Sequence, residues 1–272
     1  NIIIKIIYME GVHMIDIHCH VVPNIDDGAK DLEDALEMAR IAYNEGIRKI
    51  VNTSHYHPSF EYKKGNELLE DIKEFNNILK SNNINIEIYI GNELYYSEDM
   101  IDIIEQKEFY TLNNSKYLLI EFPPIRFPKN LVDIIYEIKI RGYIPILAHV
   151  ERYKEVQENV NLIYDCINEG ALIQVNSSSI IGKNGKEAKR VSQILLDNNM
   201  VHFIATDAHS SQRRRPMIKE TYDYVCSKYG DKTAEILFIE NPSKVILNED
   251  INIKSPIKYN KPKGFLQKLF KK

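Results

Sequence analysis

The stretch Asp-Ile-His-Cys-His-Val-Val-Pro-Asn-Ile-Asp-Asp-Gly, residues 16–28, decides the fold and points to the chemistry of this chain. A short apolar segment leads into it, and alternation along an extended strand turns His18 and His20 to the same side. Two adjacent carboxylates follow, the second of which is Asp27, and the next residue is a glycine that lets the loop bend back. Imidazole and carboxylate together suit Zn, Mn or Fe, so the stretch predicts a metal site; a surface loop rich in His and Asp is the alternative.

Length and composition indicate one globular domain of ordinary charge. The chain has 272 residues, of which 44% are hydrophobic, and a net charge of -4, which argues against a nucleic-acid partner. Its three cysteines, Cys19, Cys166 and Cys226, have no paired spacing, which predicts free thiols and a reducing, cytoplasmic compartment. None begins the Cys-x5-Arg pattern of cysteine-dependent phosphatases. Alternation turns Cys19 away from the two histidines and predicts a buried apolar role for it.

Strand and helix patterns alternate along the chain. Asp31 and Ser97 are expected to cap two of the helices, whose apolar residues recur at helical spacing. The predicted strands are 14–17, 47–53, 84–90, 117–120, 144–148, 171–175 and 201–205. Seven strands that alternate with helices favour parallel strands joined by crossover helices, and a βα barrel is the simplest way to close them.

Ligand-type side chains lie at or just beyond the C-terminal ends of six predicted strands. They are His18 and His20, His55, Glu93, Glu121, His149, and Asp207 with His209. Active sites of βα barrels are built at this end, so these side chains are expected to converge. Any one of them alone is more often a capped or solvent-facing polar group. With Asp27 the set is too large for one centre of four to six ligands, which predicts a polynuclear, hydrolytic site.

Several stretches together resemble a known family. They include Met-Ile-Asp-Ile-His-Cys-His at 14–20, Ile-Asp-Asp-Gly at 25–28, Ala-His-Val-Glu-Arg-Tyr at 148–153, Gln-Val-Asn-Ser-Ser at 174–178 and Ala-Thr-Asp-Ala-His at 205–209. They resemble the PHP-type (polymerase and histidinol phosphatase) bacterial protein-tyrosine phosphatases of capsule and exopolysaccharide synthesis. The resemblance covers roughly residues 14–248 and implies a distorted seven-stranded βα barrel. It also implies that the substrate and partner is a phosphorylated bacterial tyrosine kinase.

The same resemblance implies a trinuclear metal site, usually manganese-dependent, with Zn, Fe or Mg as other candidates. The ligands it implies for one metal are His18, His20, Glu93 and Asp207. Those for a second metal are Glu93, Glu121 and His149, with Glu93 bridging, and those for the third are Asp27, His55 and His209. The phosphate-holding arginines that it implies are Arg152 and Arg214, and a slip of one residue within the arginine run 213–215 would reassign the second.

The expected chemistry is in-line attack of hydroxide on phosphorus without a phosphoenzyme. Three other functions stay open at this point. One is hydrolysis of histidinol phosphate or another small phosphomonoester by the same metal chemistry. A second is a module that binds the kinase tail without turnover. A third is a PHP nuclease, which the acidic net charge disfavours.

The chain is expected to divide into a leader, residues 1–13, a barrel domain, residues 14–250, and a basic tail, residues 251–272. The leader is interrupted by a lysine and far shorter than the about 20 apolar residues of a spanning helix. The tail from Lys254 is expected either to fray in solvent or to lie on the anionic inner face of the membrane. The loop 122–128, Phe-Pro-Pro-Ile-Arg-Phe-Pro, is expected to be either an aromatic wall for phosphotyrosine or a rigid connector.

Overall fold

The computed structural model describes residues 13–123 and 127–260 of the chain. Seven parallel strands form one sheet in which each strand pairs with the next along the sequence. The strands are β1 Met14–Cys19, β2 Ile47–Tyr56, β3 Glu87–Tyr95, β4 Tyr117–Glu121, β5 Ile144–Leu147, β6 Leu172–Asn176 and β7 Phe203–Ala205. Every predicted strand is present, with ends shifted by a few residues. The prediction of a distorted seven-stranded βα barrel is therefore confirmed.

Helices follow the strands and cover the outside of the sheet. They are α1 Leu32–Asn44, α2 Asn66–Ser81, α3 Met100–Gln106, α4 Leu131–Ile140, α5 Lys154–Glu158, α6 Asn161–Glu169, α7 Ser177–Ile180, α8 Lys186–Asp197, α9 Lys219–Tyr229, α10 Asp231–Glu235 and α11 Asn241–Ile246. Asp31 caps α1 as predicted, because its carboxylate accepts the N–H of Asp34. The predicted cap at Ser97 is wrong. Helix α3 begins two residues too late for it, and the Ser97 hydroxyl donates instead to the carboxylate of Asp99.

The barrel closes where the end of β1 meets the chain that leaves β7. The N–H of His20 donates to the carbonyl of Ala208, and the N–H of Asp207 donates to the carbonyl of His18, each at 2.8 Å. Cys19 and Ala208 form a parallel bridge between them. This closure places the histidines of β1 beside Asp207 and His209, which lie at the other end of the domain sequence.

The N-terminal half of the barrel interior is filled by apolar side chains. Inward-facing residues of the strands, among them Ile17, Tyr117 and Phe203, form one buried cluster, and Ile246 of α11 packs into it from below. Gly91 of β3 leaves the room that this packing needs, because a Cβ atom there would lie 2.8 Å from a side-chain carbon of Val51. A second, larger cluster lies between the sheet and its helices. Polar side chains are therefore left to the C-terminal end of the barrel.

Strand β1 changes face part-way along its length. Ile17 packs in the interior cluster and Cys19 in the outer cluster, although a regular strand would put both on the same face. The pairing of β1 with β2 shifts register between Asp16 and Cys19, as at a β-bulge. The shift lets β1 contribute to the interior core and still direct His18 into the site. Cys19 is buried and free, as predicted.

The chain after α11 runs along the outside of the barrel. The N–H of Ile257 donates to the carbonyl of Asn198, and Tyr259 exchanges two hydrogen bonds with Asn161. Residues 254–260 are thus held against the barrel. The predicted leader, apart from its last residue, and the tail beyond residue 260 lie outside the described residues, so their predicted roles stay predictions. Within residues 13–123 and 127–260, no helix is long and apolar enough to cross a membrane.

Candidate active site

The nine predicted ligand side chains converge at the C-terminal end of the barrel. Those buried in the floor of the site are His18, His20, Glu93, His149, Asp207 and His209. His55 and Glu121 are partly exposed above them, and the Asp27 side chain is 57% exposed at the rim. The site therefore has a closed floor and one open side from which a substrate can approach.

Glu93 of β3 lies at the centre of the floor. Its Oε2 atom lies 3.2 Å from Nε2 of His18, 3.3 Å from Nε2 of His20 and 3.2 Å from Nδ1 of His55. Its Oε1 atom lies 3.1 Å from Nε2 of His149. A carboxylate that faces imidazoles through both oxygens has the arrangement required to bridge two cations.

The ligand atoms form overlapping groups, each of which spans no more than 4.8 Å. The groups are His18 with His20 and Asp207, His18 with Glu93 and His149, His55 with Glu93 and Glu121, and His20 with Asp27, His55 and His209. Each of the three ligand sets implied by the family resemblance has most of its members within one group. The groups also share His18, His20 and His55, which the resemblance assigned to one metal each.

The electrostatics of the floor are dominated by opposite charges at short range. Burial opposes protonation of His149, but Glu121 and Glu93 outweigh it and raise the pKa of His149 to about 10. Burial likewise disfavours ionisation of Asp207, but His18, His149 and Arg214 outweigh it and lower the pKa of Asp207. The carboxylates of the floor are thus ionised at neutral pH and attract cations.

Two residues of β6 that the sequence-based predictions missed, Gln174 and Asn176, hold the predicted ligands from behind. The side-chain oxygen of Gln174 lies 3.1 Å from Nδ1 of His18 and accepts the N–H of His149 at 2.9 Å. The Gln174 amide donates to Asn176, whose own amide donates to Asp207, each at 2.8 Å. Hydrogen bonds of this kind fix the ring orientation of ligating histidines and leave the other nitrogen free. Gln174 and Asn176 lie in a stretch that carries the family resemblance, but nothing in the sequence alone indicates this role.

Asp26 plays the same part for His20. Its Oδ2 atom lies 2.7 Å from Nδ1 of His20 and accepts the N–H of His55 at 2.9 Å. The two adjacent carboxylates therefore separate in role. Asp26 is 1% exposed behind the histidine, and Asp27 faces the open side of the site. The composition of the Asp-Asp pair does not show which carboxylate lies behind His20, and the folded loop does.

Two ligand positions have an unusual backbone. His149 and Asp207 have φ angles of 35° and 53°, in the left-handed region that residues other than glycine rarely adopt. Such conformations cost of the order of 1 to 3 kcal/mol and persist where the surroundings hold them. The N–H of His149 is held by Gln174 and that of Asp207 by the carbonyl of His18. The two residues are thus held in place at the ends of their strands.

Two arginines stand beside Asp207. Arg152 Nη1 lies 2.9 Å from one carboxylate oxygen, and Arg214 Nη2 lies 2.5 Å from the other. Within the run 213–215, Arg214 is the member whose side chain reaches this carboxylate, and its predicted role in holding phosphate stays a prediction. Its carbonyl accepts the N–H groups of both His209 and Ser210, which anchors the loop. Both guanidinium groups are partly exposed at the wall of a pocket of about 670 Å³ that opens beside the ligand cluster.

The aromatic residues at the two ends of the loop after β4, Phe122 and Phe127, pack with the core. Phe122 is fully buried, with its ring 5.9 Å from that of Tyr153, and Phe127 packs against both. Phe122 therefore belongs to the core and does not form an aromatic wall for a substrate. The middle of the loop, residues 124–126, lies outside the described residues.

The comparison with known proteins identifies the family. The family model described as "Capsular polysaccharide synthesis, CpsB/CapC" matches residues 14–247. The chain belongs to the CpsB/CapC family. This CpsB/CapC chain is 34% identical over 254 residues to tyrosine-protein phosphatase YwqE of Bacillus subtilis, which covers 93% of this chain and 100% of the relative. The predicted family resemblance is therefore confirmed.

Solved structures agree with the sequence comparison. A chain from the crystal structures of YwqE of Bacillus subtilis and CpsB of Streptococcus pneumoniae, described as metal-dependent tyrosine phosphatases, superposes with a TM-score of 0.87. It is 33% identical and covers 91% of this chain and 100% of its own length. A histidinol phosphate phosphatase of Lactococcus lactis has a TM-score of 0.53 at 14% identity, with 82% of this chain and 94% of that chain covered. It shares the fold with this CpsB/CapC protein, and the likeness goes no further than the fold.

Proposed function

We propose that this CpsB/CapC protein is a metal-dependent phosphatase that hydrolyses phosphotyrosine on a bacterial tyrosine kinase of capsule or exopolysaccharide synthesis. The observation that carries the proposal is the ligand cluster around Glu93 with two arginines at its open side. The tyrosine phosphatases among its relatives support the substrate class. The family description, which names capsular polysaccharide synthesis, supports the choice of kinase.

The residues of the floor fit a cluster of divalent cations. Buried polar atoms without a hydrogen-bond partner among the described residues include Oε2 of Glu93, Nδ1 of His55 and Nε2 of His209. Leaving such atoms unpaired is costly, and here Nδ1 of His55 faces Oε2 of Glu93 while Nε2 of His209 faces the carboxylate of Asp27, as ligands of shared cations do. Nitrogen and oxygen donors without sulfur suit manganese, zinc or iron, and we propose manganese.

We propose three metal ions, held by the sets that the family resemblance implies. The proposed ligands are His18, His20, Glu93 and Asp207 for one ion, Glu93, Glu121 and His149 for a second, and Asp27, His55 and His209 for a third. Bound divalent cations supply hydroxide at neutral pH by lowering the pKa of water, and they neutralise charge on a phosphoryl group.

The chain supplies the rest of the catalytic environment. Arg152 and Arg214 present guanidinium groups that can bind phosphoryl oxygens by paired hydrogen bonds, and Asp207 holds both in position. A cysteine nucleophile does not fit this site. The Cys19 thiol faces the carbonyl of Ala208 in the outer core, and burial raises its pKa well above the usual range.

Phosphate release from the purified full chain tests the proposal. The protein is chelated and then supplied separately with Mn, Zn, Fe or Mg, with phosphotyrosine peptide, phosphoserine peptide and histidinol phosphate as substrates. We expect chelation to abolish turnover and manganese to restore it, with phosphotyrosine peptide the best substrate. Full activity after thorough chelation would refute metal dependence. A higher kcat/KM on histidinol phosphate would assign the small-molecule function, and peptide binding without turnover would assign a binding module.

A further inference from the structure

Five cationic side chains in the described part of the chain line the pocket beside the ligand cluster around Glu93, more than one phosphoryl group can contact. Besides Arg152 and Arg214, its wall includes Lys183, Arg213 and Arg215. Asp207 is the only carboxylate among the described residues that line it. This concentration of cations occurs in a protein whose net charge is -4. Like charges gathered on one wall repel each other, and a bound anion relieves the repulsion.

The five cations differ in how they are paired. Asp207 binds Arg152 and Arg214, which places those two at the ligand cluster. The side chains of Arg213 and Arg215 form no ion pair with any residue in the described ranges 13–123 and 127–260. Lys183 reaches Glu220 at 3.2 Å, and because both side chains are more than half exposed, this pair is weak. Three cations are therefore available to a ligand that extends beyond the phosphoryl site.

Ordered backbone holds these cations in the pocket wall. The Ser210 hydroxyl accepts the N–H of Arg213 at 3.1 Å and fixes the start of the arginine run. On the other side of the pocket, the N–H of Lys183 donates to the carbonyl of Ser178 at 2.8 Å. The Asn184 amide donates to the hydroxyls of Ser178 and Ser179. Because the loops are already formed, little backbone ordering is needed when an anion binds.

We propose that Lys183, Arg213 and Arg215 form a specificity site for a second anionic side chain that flanks the phosphotyrosine of the substrate peptide. The chemistry it recognises is an oxyanion, either the carboxylate of Asp or Glu or the phosphate of another phosphotyrosine. Guanidinium groups bind both in paired hydrogen bonds. The inference rests on the proposed function, because it names the peptide sequence that the same active site prefers.

Steady-state kinetics on matched substrates test the inference with the manganese-loaded full chain. The substrates are a small aryl phosphate and three phosphotyrosine peptides, whose flanking residue is neutral, glutamate or a second phosphotyrosine. The variant is Arg213→Gln with Arg215→Gln. The control removes the same charge elsewhere, through Lys154→Gln with Lys219→Gln, both on exposed helix surfaces that do not line the pocket.

We expect the wild-type protein to prefer at least one anionic flank over the neutral flank by about tenfold in kcat/KM, since each exposed ion pair contributes up to about fivefold. The preference should fall to about twofold in the arginine variant and persist in the control. If the arginine variant loses the preference for the glutamate-flanked peptide, the site binds carboxylates. If it loses only the preference for the peptide with a second phosphotyrosine, the site binds phosphate. Two results would overturn the inference and leave the proposed function intact. One is a wild-type protein that shows no preference for either anionic flank, and the other is an arginine variant whose kcat/KM falls equally on all four substrates. Failure to hydrolyse even the aryl phosphate would overturn the proposed function itself.

Discussion

The two ends of the barrel place histidine in opposite environments. At the C-terminal end, burial disfavours protonation of His20 and His149, but neighbouring carboxylates outweigh it and raise the pKa of both. At the start of β7, His202 is 3% exposed, and burial alone lowers its pKa to about 4. Its Nδ1 atom accepts the N–H of Ile173 at 3.0 Å, which fixes the neutral ring. Burial acts on both sets of histidines, and the difference lies in the carboxylates that face them.

This difference separates the tasks of the two ends. The N-terminal end stabilises the fold through close apolar packing around residues such as Tyr117 and Phe203. The C-terminal end brings together charged side chains, and some of their buried atoms, such as Oε2 of Glu93, have no hydrogen-bond partner among the described residues. Substitutions at the C-terminal end should therefore act on metal binding and turnover, and those at the N-terminal end on stability.

The largest effect is expected at the centre of the ligand cluster. Glu93→Gln removes the charge that faces four histidines, so the purified variant should lose metal and more than about a thousandfold of its activity. Arg152→Ala is the matched change at the same end. It should keep the metals and lose about 2 to 4 kcal/mol of transition-state stabilisation. Metal content and kcat/KM measured on both variants test this, and equal metal loss in the two would contradict the assignment.

A smaller effect is expected behind the ligands. Gln174→Ala removes the hydrogen bonds to His18 and to the N–H of His149, and we expect metal affinity to fall about 10- to 100-fold. Gln174→Glu retains a side-chain acceptor, so its metal affinity should fall less than that of Gln174→Ala. Gln193→Ala, on the surface of α8, is the control. Metal titration followed by activity distinguishes the variants, and an unchanged affinity in Gln174→Ala would show that β6 does not position the ligands.

The smallest effect on metal binding and turnover is expected at His202, whose role concerns stability. Because its pKa is about 4 when folded and near 6.5 when unfolded, the unfolded chain binds the extra proton as the pH falls. The free energy of unfolding should thus drop by up to about 3 kcal/mol between pH 7 and pH 4 through this residue. His202→Asn keeps a hydrogen-bond acceptor without a titrating ring. Denaturant unfolding of the chelated wild-type protein and of His202→Asn between pH 7 and pH 4 measures this contribution. If the free energy of unfolding depends on pH in the same way in both proteins, the role of His202 is contradicted.

The sequence by itself determined the number of strands, their order and the place of the site. Each strand is an apolar run, and ligand-type residues follow at the ends of six of the seven strands, so both signals lie within a few neighbouring residues. His55, Glu93 and His149 could be selected in this way before any contact was known. Their parallel arrangement followed from the alternation of strands with helices.

The tertiary structure alone decided how these parts meet. The register shift in β1, the closure between Cys19 and Ala208, and the choice of Arg214 within its run depend on contacts between segments distant in sequence. The roles of Gln174 and Asp26 depend on which ligand each side chain faces. Helices α9 to α11 were also absent from the predictions. A hydrogen bond or a packed face is defined by its partner, and the partners of these residues are brought near only when the barrel closes.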